Sequence, residues 1–74
     1  MKNKYINYYR YINFIELELK PKVFFVENKE HNVLGYIKWH TPRRSYIFID
    51  IASGDFFDAG CLEDIQDLIN KLKT

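Results

Sequence analysis

The side chains in this chain that could do chemistry are few and scattered. Cys61 is the single thiol, and His31 and His40 are the only imidazoles. A thiol near a helix N-terminus can ionise and act as a nucleophile. No His stands at a fixed local spacing from Cys61, so the residue reads as a small apolar side chain packed beside Leu62. Zinc would want pairs such as Cys-x-x-Cys or His-x-x-x-His, and the chain has neither. His31 falls in a polar turn and reads as solvated. Asp50, Asp55 and Asp58 flank one loop, where clustered carboxylates would serve acid–base work or Mg²⁺. Loop polarity and helix capping account for the same three residues. The three Gly are isolated, so no phosphate-cradling loop is expected. No nucleophile, base and stabiliser can be named together. The expectation is a protein that is not an enzyme and carries no metal or cofactor.

One stretch does concentrate recognition chemistry. Lys38-Trp39-His40-Thr41-Pro42-Arg43-Arg44-Ser45-Tyr46-Ile47-Phe48 reads as two strands around a turn, with aromatic and basic groups converging. Tyr36, Tyr46 and Phe48 would stack on bases, while Lys38, His40, Arg43 and Arg44 meet phosphate, the way open sheets hold single strands. The same seven residues would equally serve a protein contact, as Tyr, Arg and Phe are frequent interface anchors. A third reading buries this surface under the Tyr-rich N-terminal segment or against a second copy. Trp39 is expected on the core side.

The elements that position these residues follow from periodicity. Val23 to Asn28 is a β-branched and aromatic run, hence a strand. Val33 to His40 and Ser45 to Ile51 alternate as strands, with turns at 29–32 and 41–44, the second shaped by Pro42. A helix is expected from about Gly60 to Lys73, with Leu62, Ile65, Leu68, Ile69 and Leu72 on its apolar stripe. Asp58 is its candidate N-cap, Glu63 and Asp64 fall in its first turn, and Lys71 and Lys73 in its last, as the helix dipole prefers. Residues 12–19 favour a strand ending before Pro21, whereas 1–11 fit either a strand or a helical arm. The expected fold is α+β: a small antiparallel sheet of three to four strands on one C-terminal helix, as a single domain over 1–74. Pairing Ile37 with Ile49 would place Val33, Ile37, Trp39, Ile47, Ile49 and Ile51 under the helix. The other face would then show Tyr36, Lys38, His40, Tyr46, Phe48 and Asp50. That register is preferred because a one-residue slip sets Lys38 beside Ile47, and an unpaired buried Lys is costly.

With 74 residues, 47% of them hydrophobic and 18% aromatic, the chain is near the lower limit for a self-sufficient core. It is expected to be marginally stable or to gain stability from a second copy. The net charge of +1 hides a dipole. Residues 1–44 hold nine Lys/Arg against four Glu, and residues 45–74 hold two Lys against six Asp/Glu. A uniformly basic nucleic-acid surface is therefore excluded, as is an acidic DNA mimic. One Cys permits no internal disulfide, and no apolar run reaches membrane-spanning length, so a cytoplasmic, soluble protein is expected.

Lys38-Trp39, Pro42, Arg44-x-Tyr46-x-Phe48, and then Phe57-Asp58-x-x-Cys61-Leu62-x-Asp64-Ile65-x-x-Leu68-Ile69, form a recurring pattern. Over about residues 23–72 the chain resembles small uncharacterised proteins encoded by phages and prophages. It departs from them at Arg43, where they often carry a second aromatic. The resemblance implies a phage-type accessory protein in a bacterial cytoplasm. The expected function is a protein-interaction module that docks on and inhibits a host protein, such as one of antiviral defence. A homodimer is the second partner expectation, and a nucleotide or single-stranded nucleic acid the alternative ligand.

Overall fold

The computed structural model describes residues 3–51 and 59–73. Five strands follow one another in chain order: β1 (Lys4–Ile6), β2 (Ile12–Leu17), β3 (Val23–Asn28), β4 (Val33–His40) and β5 (Ser45–Asp50). They pair antiparallel as an uninterrupted meander. One helix, α1 (Ala59–Leu72), lies across one face. The sheet thus has five strands rather than three or four. The addition is β1, an edge strand of three residues, too short for alternation to reveal.

Alternate residues of the sheet build the core. Ile12 and Phe14 of β2, Phe24 and Val26 of β3 and Ile37 of β4 are fully enclosed. Ile65 and Leu68 of α1 close over them, with Cys61, Ile69 and Leu72 at the margin. The spacing 61, 65, 68, 72 holds one side of a 3.6-residue helix toward the sheet. Leu62, expected on that stripe, instead stands 51% exposed on the flank. Because α1 begins at Ala59, its first turn holds no acidic residue. Asp64 instead accepts the Tyr11 backbone N–H at 3.0 Å. The candidate cap Asp58, the carboxylate Asp55 and the loop that contains them lie outside the described residues.

The N-terminal tyrosines clamp α1 to the sheet. Tyr9 is buried, meets Phe14 edge-on at 5.2 Å and donates its hydroxyl to Asp67 Oδ2 at 2.6 Å. Lys71 pairs with Asp67 at 3.1 Å and lies over the Tyr8 and Tyr9 rings. Burial, and then the Asp67 contact, push the Tyr9 phenol up. The Tyr9 hydroxyl and, after it, Lys71 hold the Asp67 carboxyl below its ordinary value. Gly60 sits under the Tyr11 ring, where a Cβ would come within 2.7 Å of Tyr11 Cζ. This segment therefore covers the helix side of the sheet and not the opposite face.

The register of β4 against β5 is the slipped one. Ile37 faces Phe48, Tyr36 faces Ile49, Lys38 faces Ile47 and Trp39 faces Tyr46. Two physical reasons override the expectation. The connection takes four residues, a 3-10 turn at Thr41–Arg43 followed by Arg44 in the left-handed region at φ 49°, whose N–H returns to Thr41 O at 3.0 Å. An even loop closes His40 on Ser45 and fixes every later pair. The second reason is that Lys38 lies on the face away from α1. It is only half-buried there, so the feared burial cost does not arise. Phe48, moved to the helix side, lies over Gly35, where a Cβ would stand 2.8 Å from its ring.

Candidate functional site

The face of the sheet away from α1 carries one row of side chains across all five strands: Tyr5, Ile15, Phe25, Tyr36 and Ile49. Leu17 and Val23, then Lys38 and Ile47, form the next row toward the β4–β5 turn. Tyr5 is 46% and Phe25 37% exposed, and the other members of the first row are half-buried by their neighbours alone. Among the described residues no helix or strand lies over this face. A sheet face of such composition is ordinarily covered.

One end of the face is closed by a polar knot. Glu27 is 6% exposed although it follows the apolar run of β3. Its Oε1 accepts the Tyr5 hydroxyl at 2.6 Å and the Asn13 amide at 3.2 Å, and meets His31 Nδ1 at 3.1 Å. Lys29 reaches Asn13 Oδ1 at 2.5 Å and the Asn7 carbonyl at 3.2 Å. Burial pushes the Glu27 carboxyl up, but the hydrogen bonds from Tyr5, His31 and Asn13 outweigh it, and its pKa is held below the ordinary value. His31 is placed by the 29–32 turn, in which Asn28 Oδ1 accepts the Glu30 and Asn32 N–H groups and His31 takes φ 69°. His31 is thus engaged with Glu27 rather than simply solvated. The residues of the knot come from β1, β2, β3 and a turn, so no local spacing announces it.

The seven residues singled out in the sequence do not share one surface. Tyr36, Lys38 and His40 lie on the open face, beside Ile47 and Ile49. Arg43 and Arg44 are exposed in the turn at its edge. Tyr46 and Phe48 lie on the helix side and pack against the core. Trp39 shares that side with Ile37, as expected, yet is 36% exposed because α1 stops short of it. Trp39 and Tyr46 meet edge-to-face at 5.4 Å. Together with Arg44, Ser45, Leu72 and Lys73 they line a cleft of about 380 Å³. A neighbouring cleft of about 350 Å³ lies on the other side of Tyr46, against the 18–22 connection with its cis Lys20–Pro21 bond.

Of the remaining candidates, Cys61 is half-buried against the core. Asp50 ends β5, apart from the polar knot. Among the described residues, no three His, Cys, Asp or Glu side chains gather where they could hold a metal ion. Among the same residues no helix is long and apolar enough to cross a membrane. No family model matches the chain, and neither the curated proteins nor the solved structures give a significant match.

Proposed function

We propose that this chain is a small non-enzymatic protein-interaction module of the phage-accessory kind, which docks on a host protein in the bacterial cytoplasm and inhibits it. The observation that supports this reading is the apolar row Tyr5–Ile15–Phe25–Tyr36–Ile49, which no helix or strand covers among the described residues. Strands spaced about 4.8 Å apart make a five-stranded face roughly 20 Å wide. That is the scale of the core of a standard interface, which buries about 800 Å² per partner. Phe25 and Tyr36 are its natural anchors, with Lys38 and His40 as a polar margin.

Phe25→Asp tests the reading without touching the core. Retention of one bacterial protein by the wild-type chain, and its loss from a folded Phe25→Asp variant, is the expected result. Equal retention by both would remove the open face from the contact. If light scattering instead gives twice the chain mass for wild type and a monomer for Phe25→Asp, the partner is a second copy.

A further inference from the structure

We propose that the cleft between the β4–β5 turn and the C-terminal end of α1 binds a planar base carrying a phosphate, at the size of a single nucleotide. This site is separate from the open face and goes beyond the protein contact assigned there.

Three observations converge on it. Trp39 lies on the helix side, where Phe14 and Phe24 are enclosed and Tyr46 and Phe48 half-buried, yet it remains 36% exposed. The last turn of α1 forms a wall of the cleft at Leu72 and leaves the indole uncovered. Tyr46 meets the indole at 74° and 5.4 Å, an edge-to-face contact rather than a parallel stack. Indole faces of this kind take a nucleobase with little regard to its identity.

Two cations flank the indole. Among the described residues, neither the Arg44 nor the Lys73 side chain makes a hydrogen bond or ion pair, whereas Lys22 pairs with Glu16 and Lys71 with Asp67. Among the described residues that line the cleft, none carries a side-chain carboxylate. A guanidinium and an ammonium on one rim are the donor set that phosphate recognition uses. The C-terminal carbonyls of α1 oppose an anion here, and Lys73, whose N–H closes the last turn on Asn70 O at 3.2 Å, offsets them.

The third observation is the backbone at Arg44. Its φ of 49° is a conformation that Gly adopts freely and that is unfavourable for a side-chain-bearing residue. An Arg held there, at the mouth of a cleft, is a strained residue at a recognition position. The volume of about 380 Å³ is at the small end of ligand pockets, room for one nucleotide and not for a dinucleotide. The adjoining cleft holds Glu16 and Glu18 beside Lys20 and Lys22, so it offers no net positive charge to a longer strand.

Trp39 is the only Trp, so its fluorescence reports occupancy directly. The full chain is titrated at low salt with AMP, adenosine, inorganic phosphate and a ten-nucleotide oligo-dT. Saturable quenching by AMP is expected, with adenosine and phosphate each at least about tenfold weaker. Arg44→Gly removes the cation while easing the turn, and Lys73→Ala removes the other; each is expected to weaken AMP by about three- to tenfold. Oligo-dT binding no tighter than AMP assigns the site to free nucleotides. Oligo-dT binding more than tenfold tighter supports the same base-and-phosphate chemistry at a strand end. Absence of quenching by both AMP and oligo-dT at millimolar concentration overturns the proposal. So do equal affinities in Arg44→Gly and wild type, or quenching by an acidic peptide alone.

Discussion

The two faces of this sheet are built from the same kinds of residue and end in opposite states. Toward α1, Ile12, Phe14, Phe24, Val26 and Ile37 are sealed by Ile65, Leu68 and the tyrosine clamp. Away from it, Ile15, Phe25, Tyr36 and Ile49 repeat the pattern, and among the described residues no helix or strand lies above them. The difference is therefore not in the strands but in what the rest of the chain covers. One helix of fourteen residues shields one side of five strands. The N-terminal segment, which had the aromatic content to shield the other, goes to the same side. The face left open among the described residues is the one proposed for contact, and the sealed one is the source of stability.

The largest effect that tests this contrast is a matched pair of truncations. Phe14→Ala should cost about 3–5 kcal/mol, because it opens a cavity in a fully packed site. Phe25→Ala, one strand over and on the other face, should cost less than about 1 kcal/mol in the isolated chain. Urea denaturation of both variants checks the pair, and similar losses would mean that both faces are sealed.

The polar knot at the end of the open face gives an intermediate effect. Glu27 is ionised below its ordinary pKa in the folded chain, so the unfolded chain binds more protons across that range. Its contribution is present above the unfolded carboxylate pKa and is lost as pH falls through the folded value. Glu27→Gln should lower stability by about 1–2 kcal/mol at neutral pH, through the weakened bonds from Tyr5, Asn13 and His31. It should also flatten the fall in stability between about pH 5 and pH 3. Denaturant midpoints across that interval decide it, and an unchanged acid slope in the variant would assign the slope to other carboxylates.

These two sites also mark what the sequence shows and what it hides. The helix was legible because Leu62, Ile65, Leu68, Ile69 and Leu72 recur at helical spacing, although Cys61 and not Leu62 takes the inward position. The strand around Val26 was legible as a β-branched and aromatic run, and those around Ile37 and Ile47 from alternation. The pairing of β4 with β5 was not, since it depends on whether the connection has an even or odd number of residues. That was decided by Arg44 entering the left-handed region, a position where sequence preference points to Gly. The preferred register also took the face of Ile47 and Ile49 for the one under the helix, and so gave Lys38 a burial cost it does not incur. The clustering of aromatic and basic residues along the hairpin was visible in the sequence. Their division into an open face and a separate cleft follows from the register and was hidden with it. The Glu27 knot draws on Tyr5, Asn13 and His31, which meet only once the meander has formed.

The smallest effect concerns that same turn. Arg44→Gly should raise stability by up to about 1 kcal/mol, since Gly relieves the positive φ at some cost in unfolded-state entropy. Thermal unfolding would show it, and a clear loss of stability would mean that the Arg44 side chain supports the fold.

The most direct measurement of the central claim is site-specific photo-crosslinking in bacterial cells. A photoreactive phenylalanine analogue is placed either at Phe25, on the open face, or at Gln66, on the exposed side of α1. The account predicts a discrete protein adduct from position 25 and none from position 66. An adduct from position 66 alone, or from neither, would contradict it.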